Sequence, residues 1–260
     1  MDLFVMVFTR TWRTFRLLRN LPSTRRNGVF DRTNTVWVGD VKYKDISGPD
    51  GVPDGVIDDY DKTNIGSPMP KFTFGWTNTF RYKNFDLSVF INGSYGNKVY
   101  NYLSMKLTHM NSPWTNQLNA VNGRAQLVPI NPNKVYEDGT MWYNDVSNVM
   151  VANPGASIPR ATINDPNDND RISDRYIEDG SYIRLKNISL GYTFPKKTID
   201  KLGLSNLRIY ANIQNLLTIT GYDGYDPEIG ASTSSVNVYG LDNGRYPSPT
   251  VYSFGLNVSF

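Results

Sequence analysis

The stretch that decides the fold closes the chain and reads T-V-Y-S-F-G-L-N-V-S-F, Thr250–Phe260. Side chains alternate between the two faces of a β-strand. One face of this stretch is therefore wholly apolar, and it carries Tyr252, Phe254, Leu256, Val258 and Phe260. The other face is small or polar except for Val251. Because about 9–11 tilted residues cross a bilayer as one barrel strand, the pattern predicts a membrane-barrel strand, with a soluble sandwich strand as the alternative.

Four earlier segments have the same alternation and a similar length. They are Phe72–Tyr82, Phe85–Tyr95, Ser181–Phe194 and Leu207–Leu217. The dipeptide Lys83-Asn84 between the first two predicts a tight hairpin turn. In the third segment the apolar positions change phase, which predicts a β-bulge near Lys186-Asn187. Val36–Tyr43 is a shorter, sixth candidate strand.

The connections between these segments differ greatly in length. Two are short, at residues 83–84 and 195–206, and the second predicts one or two helical turns over Lys196–Leu204. Two are long and polar, at residues 96–180 and 218–249, and the first contains a candidate short helix at Tyr100–Thr108. Outer-membrane barrels have short periplasmic turns and long extracellular loops. This asymmetry places the long connections outside the cell and Phe260 at the periplasmic rim.

Composition narrows the classes of function. The 260 residues include no cysteine, so a disulfide, a thiolate metal site and a cysteine nucleophile are excluded. The net charge of +3 arises at one end: residues 1–35 hold seven Arg and two Asp, so the other residues sum to −2. The body of the chain therefore lacks the basic surface that nucleic acid requires. No run of about 18 apolar residues exists, so no transmembrane helix is expected.

Residues 1–35 look unlike the remainder of the chain. Arg10, Arg13, Arg16 and Arg19 recur at every third position, which is typical of a basic amphipathic helix on a membrane surface. The segment lacks the charge order of a signal peptide, and the preferred interpretation is an atypical leader outside the fold. Five or six strands cannot close a barrel, which needs about eight. We therefore expect residues 36–260 to be the carboxy-terminal strands and loops of a longer barrel protein.

An acidic, glycine-rich run, D-G-V-P-D-G-V-I-D-D-Y-D, is a candidate calcium loop. If Asp50 takes the first position, Asp54, Asp58 and Asp61 fall at positions 5, 9 and 12. Hard oxygen ligands at such spacing suit Ca²⁺. Val52, at position 3, brings no ligand, and the usual last ligand is a bidentate Glu rather than Asp. A solvated turn is the alternative, and calcium is the one cofactor that the chain suggests.

No catalytic constellation is evident. His109 is the single histidine, and the chain contains neither a Cys nor a G-x-S-x-G motif. Asp58, Asp59 and Asp61 are close in sequence, but a cation site or a solvated turn explains them better than an acid–base pair. We therefore expect a protein that is not an enzyme.

Six longer motifs follow one another over residues 36–260. They are W-V-G-D-V-K-Y-K-D at 37–45, D-G-V-I-D-D-Y-D-K at 54–62, I-G-S-P-M-P-K-F-T-F-G-W at 65–76, R-Y-K-N-F-D-L-S-V-F-I-N-G-S-Y-G-N-K-V-Y-N at 81–101, D-G-S-Y-I-R-L-K-N-I-S-L-G-Y-T-F-P at 179–195, and L-R-I-Y-A-N-I-Q-N-L-L-T-I-T-G-Y-D-G-Y-D-P-E at 207–228. Together they resemble the late barrel of SusC/RagA-type TonB-linked outer-membrane receptors, whereas residues 1–35 do not. The resemblance implies an all-β fold: the carboxy-terminal part of a large antiparallel transmembrane β-barrel with long extracellular loops.

The resemblance also implies a function. Receptors of this family import oligosaccharides or, in some members, peptides; a SusD-like surface lipoprotein caps them, and the TonB complex supplies energy. It further implies outer-membrane lipid around the barrel and barrel-assembly machinery that reads the aromatic ending of Tyr252–Phe260. In this picture the chain is a fragment that does not transport alone. A soluble glycan-binding β-sandwich is the alternative function.

Aromatic residues in the long connections are the candidates for substrate binding, because flat rings stack on the apolar faces of sugars. They are Tyr100, Tyr102, Trp114, Trp142, Tyr143, Tyr222 and Tyr225. Each of them could instead pack a loop or belong to the interfacial aromatic girdle. No nucleic-acid partner is expected.

Overall fold

The computed structural model describes residues 5–6, 36–228 and 239–260. The chain divides into two compact units. The first unit comprises the chain up to Ile65 together with Tyr102–Tyr176, and the second comprises Gly66–Asn101 and Ile177–Phe260. The basic leader expected at residues 1–35 lies outside the described residues, apart from Val5–Met6.

Strands are the main regular secondary structure among the described residues, and the helices there are short. In chain order the strands are β1 (Val5–Met6), β2 (Lys62–Thr63), β3 (Phe72–Tyr82), β4 (Phe85–Tyr95), β5 (Lys98–Asn101), β6 (Leu127–Pro129), β7 (Val149–Val151), β8 (Ile177–Asp179), β9 (Tyr182–Thr193), β10 (Asn206–Thr220), β11 (Leu241–Asp242) and β12 (Val251–Ser259). The α-helices are α1 (Tyr102–Thr108) and α2 (Lys196–Ile199), and both helical predictions are confirmed. Single 3-10 turns occupy Asp59–Asp61, Asn119–Gly123, Trp142–Asn144, Val146–Asn148, Asp174–Tyr176 and Asp200–Leu202. Within the described ranges, no helix has the length and apolarity to span a membrane.

The second unit is built on a five-stranded antiparallel sheet with the strand order β12-β10-β9-β4-β3. All five strands predicted from alternation are confirmed, and β10 extends beyond the predicted end to Thr220. The predicted hairpin is formed by β3 and β4, since Tyr82 pairs with Phe85 across the turn. The predicted bulge is confirmed as well. Opposite β4, the partners jump from Asn187 to Leu185 and skip Lys186.

The register of this sheet puts like side chains on the same face. One row of partners across all five strands is apolar and consists of Phe80, Leu87, Leu190, Ala211 and Phe254. The next row along the strands is polar and consists of Thr79, Ser88, Ser189, Asn212 and Ser253. The apolar face is uncovered: Phe80 is 55% exposed and Phe254 is 85% exposed. Soluble proteins seldom expose a contiguous apolar patch of this kind to water. The face therefore needs an apolar environment.

Gly93 of β4 has no room for a side chain. A Cβ there would lie 2.5 Å from the Phe74 ring and 2.5 Å from the carbonyl oxygen of Tyr182. The carbonyl cannot retreat unless β9 moves, so we expect Gly93→Ala to destabilise the sheet by about 2 kcal/mol in urea unfolding of the full chain in micelles. Gly75→Ala is the matched control, because its Cβ would meet only the flexible Phe90 ring, at 3.3 Å. Equal costs for the two variants would contradict this account.

The first unit has an apolar core of its own. Its buried members are Trp37, Val38, Ala125, Val149, Val151 and Ala156, with Leu127, Trp142 and Val146 packed against them. The antiparallel pair of β6 and β7 supplies several of these residues, since Leu127 pairs with Val151. Part of the connection at 96–180, which is long and polar in sequence, therefore contributes to a core.

The candidate strand Val36–Tyr43 is not formed, and that prediction is wrong. Trp37 and Asp40 close a turn instead: the Asp40 N–H donates to the Trp37 carbonyl oxygen (3.1 Å), and the Trp37 N–H donates to Asp40 Oδ2 (2.8 Å). Arg160 holds the same carboxylate, with Nε 2.8 Å from Oδ1 and Nη2 3.0 Å from Oδ2. Both charged side chains are buried. The segment is therefore shaped by a buried ion pair rather than by strand pairing.

Candidate functional site

The polar face of the five-stranded sheet carries charged groups that pair across strands. Arg208 of β10 reaches over Gly191 of β9 to Asp86 of β4, with Nε 3.1 Å from Oδ1 and Nη2 2.5 Å from Oδ2. Glycine keeps this path open, because a Cβ on Gly191 would lie 2.2 Å from Arg208 Nη2. The Tyr210 ring covers Gly255 of β12 in a similar way. This face presents hydrogen-bonding groups, whereas the opposite face presents hydrocarbon and aromatic rings.

A second charged cluster fastens the segment that follows β10. Arg184 of β9 has a side chain that is only 3% exposed, and it donates to Thr218 Oγ1 at 2.8 Å. It also donates to Glu228 Oε2 at 2.7 Å and to the carboxylate of Asp226. Lys186 adds a further contact to Glu228 Oε2 at 2.8 Å. The D-P-E triplet at 226–228 is thereby tied to β9.

Asp226 also joins the two ends of the connection between β10 and β12. Its Oδ2 accepts the backbone N–H of Ser248 (3.0 Å), and its Oδ1 accepts that of Glu228 (2.9 Å). Burial works to raise the pKa of Asp226, but Arg184 and the two N–H groups outweigh it and lower the pKa. Sequence reasoning missed this cluster, because charge spacing gives no sign that Arg184 meets a residue 42 positions later.

Tyr222, one of the substrate-binding candidates, lies inside the second unit. It is 5% exposed, and its hydroxyl donates to the buried carboxylate of Asp242 at 2.5 Å. Burial and the neighbouring Asp242 raise the pKa of the Tyr222 phenol. The ring packs the connection after β10 and presents no open face to a ligand.

Several of the other aromatic candidates are more accessible. Trp114 is 92% exposed and Tyr225 is 63% exposed. Trp142 and Tyr143 meet edge to face, with ring centroids 5.6 Å apart, and Trp142 also packs on the core of the first unit. The remaining two, both half-buried, are Tyr100 in β5 and Tyr102 in α1. Trp142 and Tyr143 thus contact each other, and substrate binding by the aromatic candidates stays a prediction.

The acidic run at 50–61 folds as a turn organised around its last carboxylate. Asp61 is fully buried, and its Oδ1 accepts the backbone N–H groups of Ile46 (2.7 Å) and Ser47 (3.2 Å). Its Oδ2 accepts the N–H of Asp58 (2.9 Å). Burial works to raise the pKa of Asp61, but these N–H groups outweigh it and lower the pKa. Asp61 therefore serves to shape the turn itself.

Two of the other calcium candidates, Asp54 and Asp58, also contact their own loop. Asp58 Oδ1 accepts the N–H of Tyr60 (2.8 Å), and Asp54 Oδ1 accepts that of Val56 (2.9 Å). The four calcium candidates are Asp50, Asp54, Asp58 and Asp61. Within the described residues, no three of their carboxylates lie within 4.8 Å of one another. Calcium needs its oxygen ligands about 2.3–2.6 Å from one centre. Calcium binding by this run stays a prediction.

The closing strand carries the residues of the predicted assembly signal. Tyr252, Phe254, Leu256 and Val258 lie in β12, and Phe260 follows directly after it. All five side chains are accessible, and Phe260 is 93% exposed. β12 is an edge strand of the sheet, bonded to β10 on one side. Its recognition by an assembly machinery stays a prediction.

These features define a class of protein. The sheet strands are 9 to 15 residues long, with one uncovered apolar face and one face of paired polar groups. Strands of this length that alternate in this way build the wall of an antiparallel transmembrane β-barrel.

Comparison with known proteins gives the family. No family model matches the chain. TonB-dependent receptor P3 of Formosa agariphila is 36% identical over 211 residues, which are 79% of this chain and 18% of that protein. TonB-dependent receptor SusC of Bacteroides thetaiotaomicron is 29% identical over 209 residues, which are 79% of this chain and 17% of SusC. A solved structure of the RagAB peptide transporter superimposes with a TM-score of 0.64 at 18% identity, covering 100% of this chain and 23% of that chain.

The fold class and the family predicted from the motifs are therefore confirmed. The chain belongs to the TonB-dependent receptors. It is also similar in sequence to SusC and in fold to the RagAB transporter. It spans about a fifth of the length of the curated relatives it matches. The names of these relatives describe receptors rather than enzymes.

Proposed function

We propose that this chain supplies wall strands and loops to an outer-membrane active transporter. The observation that carries the proposal is that the sheet has one apolar and one polar face. Phe80 and Phe254 lie in one exposed row on the apolar face. Ser88 and Ser253 lie in the next row, on the polar face. Lipid surrounds the apolar face, and the polar face turns to the interior of the barrel. Relatives named as TonB-dependent support energy supply by the TonB complex.

The lengths of the connections support an orientation. In this proposal the turn at Lys83-Asn84 and helix α2 face the periplasm, because periplasmic connections are short. The connections at 96–180 and 218–249 lie outside the cell. β12 then runs inward, and Phe260 ends at the periplasmic rim.

The proposed cargo is an oligosaccharide or a peptide, and the proposed partner is a SusD-like surface lipoprotein. One relative bears the name SusC, and the structural relative is described as a peptide transporter. Trp114, Tyr143 and Tyr225 are the aromatic residues proposed to contact cargo or the lipoprotein, since Trp114 and Tyr225 are largely exposed. The chain is proposed to act as part of a complete receptor and not by itself.

The soluble sandwich fits the structure less well. A sandwich buries the apolar face of each sheet against a second sheet. Here Phe80, Leu190 and Phe254 of the apolar row are all exposed. We therefore favour the membrane wall over the soluble module.

Membrane fractionation tests the proposal. In cells that produce the complete receptor, we expect this sequence to be recovered with the outer membrane and to stay there after an alkaline wash, because its apolar face lies in lipid. A peripheral binding protein of the same size is the control and should be released by the wash. Recovery of the receptor in the soluble fraction would rule the proposal out.

A further inference from the structure

His109, the single histidine of the chain, is held between two carboxylates of one loop. It directly follows α1, and its side chain is buried. Its Nε2 lies 2.8 Å from Asp165 Oδ2, and its Nδ1 lies 3.2 Å from Asp170 Oδ2. The D-P-N-D-N-D loop, residues 165–170, therefore engages both ring nitrogens at once.

These two contacts indicate whether the site suits a second proton on the ring or a metal ion. An ionised carboxylate only accepts hydrogen bonds, so each ring nitrogen that faces one must carry a hydrogen. The imidazolium is the form with a hydrogen on both nitrogens. One ligand atom from each of His109, Asp165 and Asp170 lies within 4.8 Å of the other two, as a metal site would also require. The two carboxylates, however, engage different ring nitrogens at hydrogen-bonding distance. The geometry suits a proton better than a metal.

The 165–170 loop has a backbone conformation that is unfavourable without restraints from its surroundings. Asp165 and Asp168 have φ angles of +36° and +49°, in a region that residues other than glycine seldom occupy. The Asp165 carboxylate braces the loop from within, accepting the Asn169 N–H at 2.7 Å and the Asn169 Nδ2 at 2.5 Å. Backbone of this kind persists only where its surroundings fix it. His109 supplies one of those restraints from outside the loop.

We propose that His109 is a proton-dependent clasp between the end of α1 and the 165–170 loop. The protonated ring donates to Asp165 and to Asp170. When the ring loses a proton, one nitrogen turns a lone pair towards a carboxylate, and that contact becomes repulsive. The clasp is therefore closed at low pH and is lost as the pH rises.

Other titratable and charged groups surround the clasp, both from its loop and from the elements packed against it. They are Asp165, Asp170, Tyr43, Arg171, Arg175 and Tyr176. Burial raises the pKa of Tyr43 and of Tyr176, so both phenols remain neutral. Arg171 lies over the Tyr43 ring, and Arg175 lies over the Tyr176 ring.

Two further charged groups complete the surroundings. On α1 itself, Lys106 is exposed and lies over the ring of Tyr102. The Asp40–Arg160 ion pair reaches the loop through Asn169, whose Nδ2 donates to Asp40 Oδ1 at 3.1 Å. The charges of Asp40 and Arg160 neutralise each other. In the proposal, the change of charge with pH therefore arises at His109.

Loss of the clasp would leave the loop with fewer anchors to the rest of the first unit. Tyr43 still donates its hydroxyl to the Asp168 carbonyl oxygen at 2.6 Å, and the Val41 N–H still donates to Asn169 Oδ1 at 2.7 Å. These contacts hold the middle of the loop, whereas Asp165 and Asp170 are its two ends. We therefore expect local loosening of residues 165–170 rather than unfolding of the unit.

Hydrogen exchange of the full chain in micelles tests the clasp, read on the peptide that covers residues 163–171. After correction for the intrinsic effect of pH, we expect protection of the loop to fall at least about tenfold between about pH 5.5 and pH 9, the gain expected of charge-assisted hydrogen bonds. The ring C–H resonance of the single imidazole reports its protonation in the same samples. The loss of protection and the shift of this resonance should follow one curve.

Three variants separate the clasp from general loosening. His109→Gln cannot carry the charge, so its loop should show low protection that does not change with pH. Asp170→Asn removes the anion that faces Nδ1, so the dependence on pH should weaken. Lys134→Gln is the control, because it removes an exposed ion pair with Asp145 in the same unit and should leave the pH response intact.

Three results would overturn the proposal. One is constant protection while the imidazole resonance titrates. Another is a pH response in His109→Gln equal to that of the unaltered chain. The third is recovery of protection at high pH on adding Zn²⁺ to the unaltered chain but not to His109→Gln, since the ring would then be a metal ligand.

Discussion

Replacing Arg160 with methionine is expected to destabilise the first unit by about 3–5 kcal/mol. The substitution leaves Asp40 buried without the guanidinium that contacts its two oxygens at 2.8 and 3.0 Å. Burial already raises the pKa of Asp40, in spite of Arg160 and the hydrogen bonds from Trp37 and Asn169. Methionine has a similar length and no charge, so the loss reports the unpaired carboxylate more than a cavity.

Urea unfolding of the full chain, followed by tryptophan fluorescence, measures this cost. The cost should shrink as the pH falls, because a carboxyl whose pKa is raised in the folded state binds its proton more tightly there than in the unfolded chain. Adding Asp40→Asn to the variant should recover much of the loss, since the amide oxygen can still accept the Trp37 N–H.

Lys134→Met is the matched control for Arg160→Met. Lys134 also pairs with an aspartate, Asp145, but its side chain is 42% exposed. Exposed pairs of this kind contribute little to stability, because solvent screens them. If Arg160→Met cost no more than Lys134→Met, the buried pair would not be holding the turn at Trp37–Asp40.

Replacing Ile188 with arginine is expected to cost about 2–4 kcal/mol in a bilayer, whereas Ser189→Arg should cost far less. The two residues are neighbours in the middle of β9, and strands flank both of them. Ile188 pairs with Val89 and Ile213 on the apolar face, and Ser189 lies on the polar face. In the proposed orientation only the arginine at position 188 meets lipid.

Reversible unfolding of the full receptor in lipid vesicles measures the difference between these two variants. Because both substitutions introduce the same side chain into the same strand, the β-propensity of the introduced residue and the backbone pairing are matched. Ile188→Lys is a second charged variant and should behave like Ile188→Arg. A larger cost for Ser189→Arg than for Ile188→Arg would mean that the polar face, and not the apolar face, meets the lipid.

The sequence was most informative about local structure in the sheet. The alternation of Phe72–Tyr82 and Phe85–Tyr95 fixed both strands to the residue, because a period of two with uniform faces has one consistent register. The phase change near Lys186 located the bulge for the same reason. The alternation in Val36–Tyr43 led to a wrong strand prediction. Trp37 and Val38 are buried because they belong to a core, and Asp40 belongs to an ion pair that no periodicity reveals.

Contacts between distant residues were beyond the reach of the sequence. Asp165 and His109 are 56 positions apart, and Asp40 and Arg160 are 120 apart. Each pair depends on how long connections fold back, which a single sequence does not encode as a local pattern. The aromatic candidates show the same limit: Tyr222 and Tyr225 look alike in sequence, yet one is buried against Asp242 and the other is exposed.

The contact between Asp226 and the Ser248 N–H bears on how this protein can vary among species. It holds the residues just before β12 against the residues just after β10. The path of the chain into β12 at Val251 is therefore fixed beside the sheet. Lengthening a loop whose two ends are held together costs little free energy, about 0.6 kcal/mol for each doubling of its length. Insertions and deletions between Glu228 and Tyr239 should therefore accumulate freely among homologues, because β11 and the contact of Asp242 with Tyr222 hold the remainder of the connection. Asp226 and Arg184 should change together or not at all.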